Sequence, residues 1–181
     1  MHFRFQLWLT RIMQLTRFTD IGLRVVMRLA AADRADSKKH SDRRTLTTRD
    51  LATELSVPYT HVAKVVSRLS EMGVVHSRRG RSGGLMITEL GRDARVGWLA
   101  ETLEGPGEVV DCNSPEPCPL RGACRLRGAL AQARTAFFRS LDDQVIADLV
   151  ADPTGAVLLA LRAPQVTPDH TAARARDHTA D

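Results

Sequence analysis

The sequence lacks the features that define several large protein classes. It contains no apolar run near the roughly 18 residues that a membrane-spanning helix needs. Its three cysteines are too few, and odd in number, for a disulfide scaffold. It has no Walker phosphate-binding loop and no glycine-rich dinucleotide fingerprint, which argues against a nucleotide-dependent enzyme. We therefore expect a cytoplasmic protein that makes no contact with a membrane.

Aromatic residues are also scarce, at 4% of the 181 residues, although apolar residues as a whole make up 43%. There is enough apolar material for a core, and that core must be built mainly from Leu, Val, Ile and Ala. The net charge is +5. An excess of positive charge weakly favours a nucleic-acid partner.

The first helix is predicted from the apolar spacing between Phe18 and Leu29. Thr19 is the predicted N-cap, and Asp20 lies in the first turn, where a negative charge suits the helix dipole. Residues 32–44 are polar and predicted to form a solvated loop. Residues 45–47 are predicted to form a short strand.

Two short helices joined by a tight turn are predicted next. Thr47 and Asp50 fit the capping box of the first of them. In the turn, Ser56 is a candidate cap and Pro58 suits the start of the second helix, which Gly73 should end. The buried face of the second helix is predicted from apolar residues at positions i, i+3, i+4 and i+7: Val62, Val65, Val66 and Leu69.

A β-hairpin should follow, because two β-like runs at 74–77 and 85–87 flank a basic, glycine-rich tip. Two helices, a glycine and a basic hairpin form the order of a winged helix-turn-helix, whose second helix lies in the DNA major groove. We predict one more helix at 90–103, which the glycines and proline at 105–107 should stop. The predicted fold class is mainly α with a small β wing.

DNA contacts are predicted on the face of the second helix opposite its buried face. Residues 38–81 carry ten basic and four acidic residues, so their net charge of +6 exceeds that of the whole chain. The alternative, a helical hairpin with a solvated basic face, explains the charges but not the glycine-rich wing. The candidate DNA-binding residues are Tyr59, Thr60, His61, Lys64, Ser67, Arg68, Arg79 and Arg81.

Cys112, Cys118 and Cys124 are evenly spaced in a loop that prolines and glycines keep irregular. Six extended residues span about 20 Å, so the loop is long enough to bring the three thiolates to one centre. Thiolates are soft ligands that favour iron–sulfur clusters, zinc or copper. Inert buried cysteines should lie on apolar faces, whereas these lie among prolines and polar residues. We predict a metal or cluster site that still needs a fourth ligand.

The region after the loop is predicted to be helical over residues 126–141, and near-heptad apolar spacing makes this helix a candidate dimer contact. The alternative is a helix buried within one subunit. We divide the chain into a loose extension at 1–12, a winged helix-turn-helix domain at 13–105 and a cysteine loop at 106–125. A dimerisation helix and C-terminal helix occupy 126–162, and a polar, disordered tail occupies 163–181.

Residues 13 to about 150 resemble the NsrR and IscR group of bacterial winged-helix iron–sulfur regulators. The residues that carry the resemblance are Leu15-Thr16-Arg17-Phe18-Thr19-Asp20, the wing at 77–84, Glu104-Gly105 and the three-cysteine loop. Leu85 replaces the aromatic residue that usually follows the paired glycines. The resemblance implies a homodimeric transcriptional repressor of double-stranded, palindromic operator DNA that is not an enzyme.

The resemblance also suggests the fourth ligand. IscR-like proteins carry a histidine three residues after the last cysteine, where this chain has Arg127, which stays protonated and cannot be a ligand. NsrR-like proteins use an aspartate of the first helix, donated by the other subunit, and the matching residue is Asp20. The resemblance thus implies a cluster, first of all [4Fe-4S], held by three cysteines and Asp20 of the partner subunit. Nitric oxide would be the signal, and nitrosylation would release the DNA.

Three alternatives remain open. The first is an IscR-like regulator that senses cluster status with a [2Fe-2S] cluster, against which Arg127 counts. The second is a DNA-binding module stapled by zinc. The third is an enzyme with a reactive cysteine, which has little support because no histidine lies near the cysteine loop in sequence.

Overall fold

The computed structural model describes residues 15–39, 45–78, 80, 83–113 and 115–161. Within these residues the chain forms eight helices and one antiparallel pair of strands. They are α1 (Arg17–Lys39), α2 (Thr48–Glu54), α3 (Tyr59–Glu71), β1 (Val75–Arg78), β2 (Gly84–Ile87), α4 (Glu89–Arg92), α5 (Val96–Glu104), α6 (Arg125–Leu141), α7 (Ile146–Leu149) and α8 (Thr154–Ala160). The predicted fold class is confirmed. No helix in this part of the chain is long and apolar enough to cross a membrane.

Helix α1 is the central element, and α3, α5, β2, α7 and α8 all pack against it. The prediction of Thr19 as its N-cap is wrong. The helix begins at Arg17, and the Thr16 hydroxyl accepts a hydrogen bond from the Thr19 backbone N–H at 3.3 Å, while Thr19 itself is fully buried. The capping side chain is therefore that of Thr16, three positions earlier, and the buried Thr19 hydroxyl lies 3.1 Å from the Thr16 hydroxyl.

The predicted loop at 32–44 is also wrong over residues 32–39, where α1 continues to Lys39. Alanines at 30, 31, 32 and 35 favour the helix, and Arg92 on α4 holds the Asp33 carboxylate at 2.8 Å. The polar residues of this segment therefore extend a helix rather than form a loop. Residues 40–44, the extension at 1–12 and the tail at 163–181 lie outside the described residues.

The helix-turn-helix is formed by α2 and α3. The Asp50 N–H donates to the Thr47 hydroxyl at 3.1 Å and the Thr47 N–H donates back to the Asp50 carboxylate at 2.8 Å, which confirms the capping box. The predicted cap at Ser56 is wrong, because this residue takes a left-handed conformation in the turn and Pro58 is the N-cap of α3. Gly73, with φ of 72°, follows the C-cap residue of α3, and the predicted apolar face of this helix is buried.

The wing is the β1–β2 hairpin, in which Val75 pairs with Ile87 and Arg78 with Gly84. The predicted strand at 45–47 is reduced to a single bridge, in which the Leu85 N–H donates to the Leu46 carbonyl at 2.7 Å. This bridge fastens the base of the wing to the segment that precedes α2. The hairpin prediction is confirmed.

The single helix predicted at 90–103 is wrong, because α4 and α5 are separated by residues 93–95. The C-terminal part of the chain causes the break. The Ile146 N–H donates to the Ala94 carbonyl at 3.1 Å, and the Val96 N–H donates to the Gln144 carbonyl at 3.0 Å. These backbone groups are therefore unavailable to a continuous helix. Residues 146 and 150 are buried against α1 and its neighbours, as the apolar pattern predicts.

Helix α6 packs tightly on α5 but is otherwise exposed. A Cβ atom on Gly97 would lie 2.0 Å from the Phe138 carbonyl oxygen, so only glycine permits this approach. Phe138 is the one buried residue of α6, and Leu126 is 65% exposed. Most of the α6 surface is thus available for contacts beyond the described residues of one chain.

Candidate functional site

The exposed face of α3 carries the predicted DNA-contacting residues. The structure places Tyr59, Thr60, His61, Lys64, Ser67 and Arg68 at the surface, opposite the four buried residues of the same helix. Arg78 is exposed on β1, whereas Arg79 and Arg81 lie outside the described residues. The helix therefore presents hydroxyl, imidazole and cationic donors on one side while its valines attach it to the core.

An acidic residue that the sequence patterns do not single out affects this surface. Glu71 lies 3.3 Å from the Arg68 guanidinium and 3.5 Å from the Ser67 hydroxyl. Both Arg68 and Glu71 are exposed, so the pair is weak, and Glu71 partly offsets the positive charge of Arg68. Lys64 makes no ion pair with any residue that the structure describes, which leaves its charge available.

Arg49 on α2 is a second addition to the surface. Its guanidinium carbon lies 5.6 Å from the centre of the Tyr59 ring, a cation–π contact between the starts of α2 and α3. Arg49 is thereby held at the surface next to the α3 residues. No sequence signal identifies this contact, because it depends on how the two helices cross.

The cysteine loop connects α5 to α6 and contains turns but no helix or strand within its described residues. All three cysteines are free thiols, with Cys112 buried and Cys118 and Cys124 half-buried. Cys124 is the N-cap of α6. Burial raises the pKa of Cys112, and the charge of Cys118 raises it further, whereas Arg127 opposes this shift. The charges of Cys118 and Arg127 therefore both act on the Cys112 thiol.

The loop does not hold its thiols as a finished metal site. Among the described residues, no three His, Cys, Asp or Glu side chains converge closely enough to hold a metal ion. Three soft sulfur donors on one irregular loop fit an iron–sulfur cluster or zinc.

Arg127, near the start of α6, binds Glu108, near the start of the cysteine loop. Its Nε donates to Glu108 Oε2 at 2.8 Å and its Nη2 donates to the other carboxylate oxygen, so the two side chains meet as a fork. These hydrogen bonds lower the pKa of Glu108. Arg127, which occupies the position of the IscR-type histidine, therefore binds a carboxylate of the cysteine loop.

Asp20 makes no hydrogen bond or ion pair with the described residues of the cysteine loop. It lies in the first turn of α1, its side chain is 43% exposed, and it pairs with Arg24 at 2.9 Å. The start of α1 is nevertheless tied to the end of α5, because the Thr16 N–H donates to Glu104 Oε1 at 2.5 Å. Helix α1 thus begins next to the residue from which the cysteine loop departs.

Known proteins resemble the chain over most of its length. A family profile described as Rrf2, iron-dependent transcriptional regulator, matches residues 15–152. The HTH-type transcriptional repressor NsrR of Streptomyces coelicolor is 54% identical over 149 residues, which are 82% of this chain and 96% of that protein. The HTH-type transcriptional regulator NsrR of Halalkalibacterium halodurans is 31% identical over 144 residues, which are 77% and 92% of the two chains.

Solved structures share the fold. IscR of T. potens superposes with a TM-score of 0.55 at 18% identity, over 76% of this chain and 85% of that chain. CymR of B. subtilis, described as the global cysteine regulator, gives a TM-score of 0.53 at 23% identity, over 76% and 96%. At these identities the superpositions support the arrangement of the elements and nothing finer.

Proposed function

The chain belongs to the Rrf2 family of iron-dependent transcriptional regulators, and we propose that it is a homodimeric repressor whose iron–sulfur cluster senses nitric oxide. Its relatives are transcriptional regulators rather than enzymes, which confirms the expectation that the chain is not an enzyme. As a repressor it would act on DNA in the cytoplasm. The observation that carries the proposal is that all three cysteines of the sequence lie as free thiols on the one loop between α5 and α6.

The DNA contact is proposed for α3 and the wing. The donors on the exposed face of α3 suit phosphates and base edges, and β1 of the wing packs against this helix. Arg49, held against Tyr59, adds a cation at the edge of this surface. A palindromic operator would match two such surfaces related by a dimer axis.

Replacing Lys64 with Ala is expected to weaken operator binding and to reduce the salt dependence of binding by about one counterion. The reason is that Lys64 is exposed and unpaired among the described residues, so its charge is available to a phosphate. Fluorescence anisotropy at several salt concentrations measures both quantities. Arg34→Ala, which removes an exposed charge from α1, is the control and should bind like the wild type. Equal salt slopes for the wild type and Lys64→Ala would contradict the assignment.

The cluster is proposed to be held by Cys112, Cys118, Cys124 and Asp20 of the partner subunit, and to be of the [4Fe-4S] type. The three thiols suit cluster iron, and Arg127 occupies the position at which an IscR-like site requires a histidine. When bound, the cluster supplies iron that can react with nitric oxide. A carboxylate is a harder and weaker partner for this iron than a thiolate, which would leave one iron more open to the signal.

The dimer is proposed to form along α6. This helix exposes nearly its whole length, including Leu126, in the part of the chain that the structure describes. Its near-heptad apolar spacing suits contact with a second copy. Dimerisation would also allow Asp20 of the partner subunit to reach the cysteine loop. Loss of the cluster would release that link, and a small rotation of the two α3 helices would then reduce operator affinity.

An absorption spectrum of protein purified without oxygen tests the proposal. A broad iron–sulfur band that collapses when nitric oxide is added is the expected result. A colourless protein with stoichiometric zinc would remove the sensing mechanism and leave the DNA-binding assignment. A band that nitric oxide does not change would favour the IscR-like alternative with a [2Fe-2S] cluster.

A further inference from the structure

Two arginines on one face of α6 hold the first residues of the cysteine loop, which we call the stem (residues 105–108). Arg127 forms the fork with Glu108 described above. Arg134 donates from Nη2 to the Gly105 carbonyl oxygen at 2.7 Å, and its Nη1 lies 3.1 Å from Glu101 Oε1. Seven residues are almost two helical turns, so both guanidinium groups leave α6 on the same side.

Arg134 is the better fixed of the two. Its guanidinium carbon lies 4.8 Å from the centre of the Phe138 ring, and its side chain is only 22% exposed. Phe138 in turn is the buried residue that attaches α6 to α5. Arg134 therefore joins the end of α5 and the stem to the part of α6 that packs against α5.

Apolar packing contributes little to the position of the stem. Val109 and Val110, which follow it, are exposed, and Cys112 is the one buried residue among the described residues of the loop. The stem and α6 enclose an open cleft of about 430 Å³, which Cys124 and both arginines line. The polar contacts of the two arginines are thus the main link between the stem and the helix, and they lie beside a cysteine.

We propose that Arg127 and Arg134 are positioning residues that clamp the stem onto α6, with or without a bound metal. The inference rests on the proposed function in that the loop is taken to hold the cluster. Because Cys124 is the residue at the N-cap position of α6 and the stem is clamped to the same helix, both ends of the loop depend on α6. Cluster retention therefore depends on the helix that we propose as the dimer contact.

Hydrogen exchange of the metal-free protein tests the clamp directly. The variants are Arg127→Met and Arg134→Met, and Arg34→Met is the control, since Arg34 is exposed on α1 and makes no ion pair with a described residue. Backbone amides of residues 105–113 are expected to exchange about tenfold faster in the two clamp variants. Exchange at the control rate in both variants would overturn the proposal.

A charge-reversal variant distinguishes loss of the clamp from a general loss of structure. The double variant Glu108→Arg with Arg127→Glu keeps the ion pair with its charges reversed and is expected to restore slow hydrogen exchange. In Arg127→Glu alone, hydrogen exchange is expected to be fast. Rapid exchange in the double variant would contradict a role through Glu108. Far-UV circular dichroism shows whether each variant keeps its helices.

The cluster-loaded protein gives the second readout. Loss of the cluster to a chelator is expected to be about tenfold faster in Arg127→Met and Arg134→Met than in the control. If the wild type takes up no cluster, the proposed function fails, and exchange in the metal-free protein still decides the clamp. If the wild type holds a cluster and the clamp variants match the control in both measurements, the clamp alone is wrong.

Discussion

Replacing Glu54 with Ala is expected to lower the free energy of unfolding by about 3–5 kcal/mol. Arg28 Nε donates to Glu54 Oε2 at 2.8 Å, and the two side chains are only 6% and 3% exposed. The substitution leaves the Arg28 guanidinium buried and uncompensated. Arg28 Nη1 already lacks a hydrogen-bond partner among the described residues, so the site has no spare acceptor. Urea unfolding curves of the metal-free protein, all recorded at the same protein concentration, measure the effect.

Two further variants distinguish a buried charge from a simple loss of contact. Arg28→Met combined with Glu54→Met removes both charges and is expected to recover most of the lost stability, because apolar replacements of buried ion pairs are often neutral. Glu71→Ala breaks the exposed pair with Arg68 and should cost less than about 1 kcal/mol. If Glu54→Ala lowers the free energy of unfolding by less than about 1 kcal/mol, water solvates the Arg28 guanidinium in the variant and the charge is not left buried.

This ion pair also joins α1 to the helix-turn-helix. Arg28 is on α1, two turns after Asp20, and Glu54 is at the end of α2. Arg92 of α4 makes a second link to α1 through Asp33. The helix that begins beside the cysteine loop is therefore fastened to the helix-turn-helix at its centre and to α4 near its end. A displacement of α1 would have to move α2 with it or break a buried charge pair.

Local patterns explain what the sequence predicts well. The capping box of Thr47 and Asp50 and the positive-φ glycine after α3 each depend on a few neighbouring residues. The buried face of α3 and the hairpin of the wing follow from helical and strand periodicity in the same way. Because each of these signals is local, the winged helix-turn-helix can be predicted from the amino-acid sequence alone.

Contacts between distant residues explain what the sequence does not reveal. The break between α4 and α5 comes from hydrogen bonds to residues 144 and 146. The clamp contacts of Arg127 and Arg134 join positions 19 and 29 residues apart along the chain. The buried pair of Arg28 and Glu54 gives no local signal, because both residue types are usually exposed. For the candidate site, sequence identifies the chemical groups, and only the packing of α5 and α6 places them.

Replacing Cys112 with Ser is expected to abolish the iron–sulfur absorption band, and replacing Asp20 with Ala is expected to weaken retention of the cluster without abolishing it. Cys112 is the buried thiol of the loop, and a serine hydroxyl is a poor ligand for cluster iron. A carboxylate contributes less than a thiolate, so Asp20→Ala should lose iron to a chelator about tenfold faster than the wild type. Absorption spectra recorded without oxygen, before and after chelator, measure both effects.

Asp20 needs a matched control, because it also pairs with Arg24 at the protomer surface. Arg24→Ala removes this exposed pair and keeps the carboxylate, so it is expected to hold the cluster like the wild type. Mixing Cys112→Ser and Asp20→Ala subunits then tests whether Asp20 of one subunit binds the cluster of the other. In the mixed dimer, the loop of the Asp20→Ala chain keeps its three cysteines and faces Asp20 of the partner subunit, so one wild-type-like site is expected. If the mixed dimer loses iron as quickly as Asp20→Ala alone, the carboxylate acts within its own chain or serves only the start of α1.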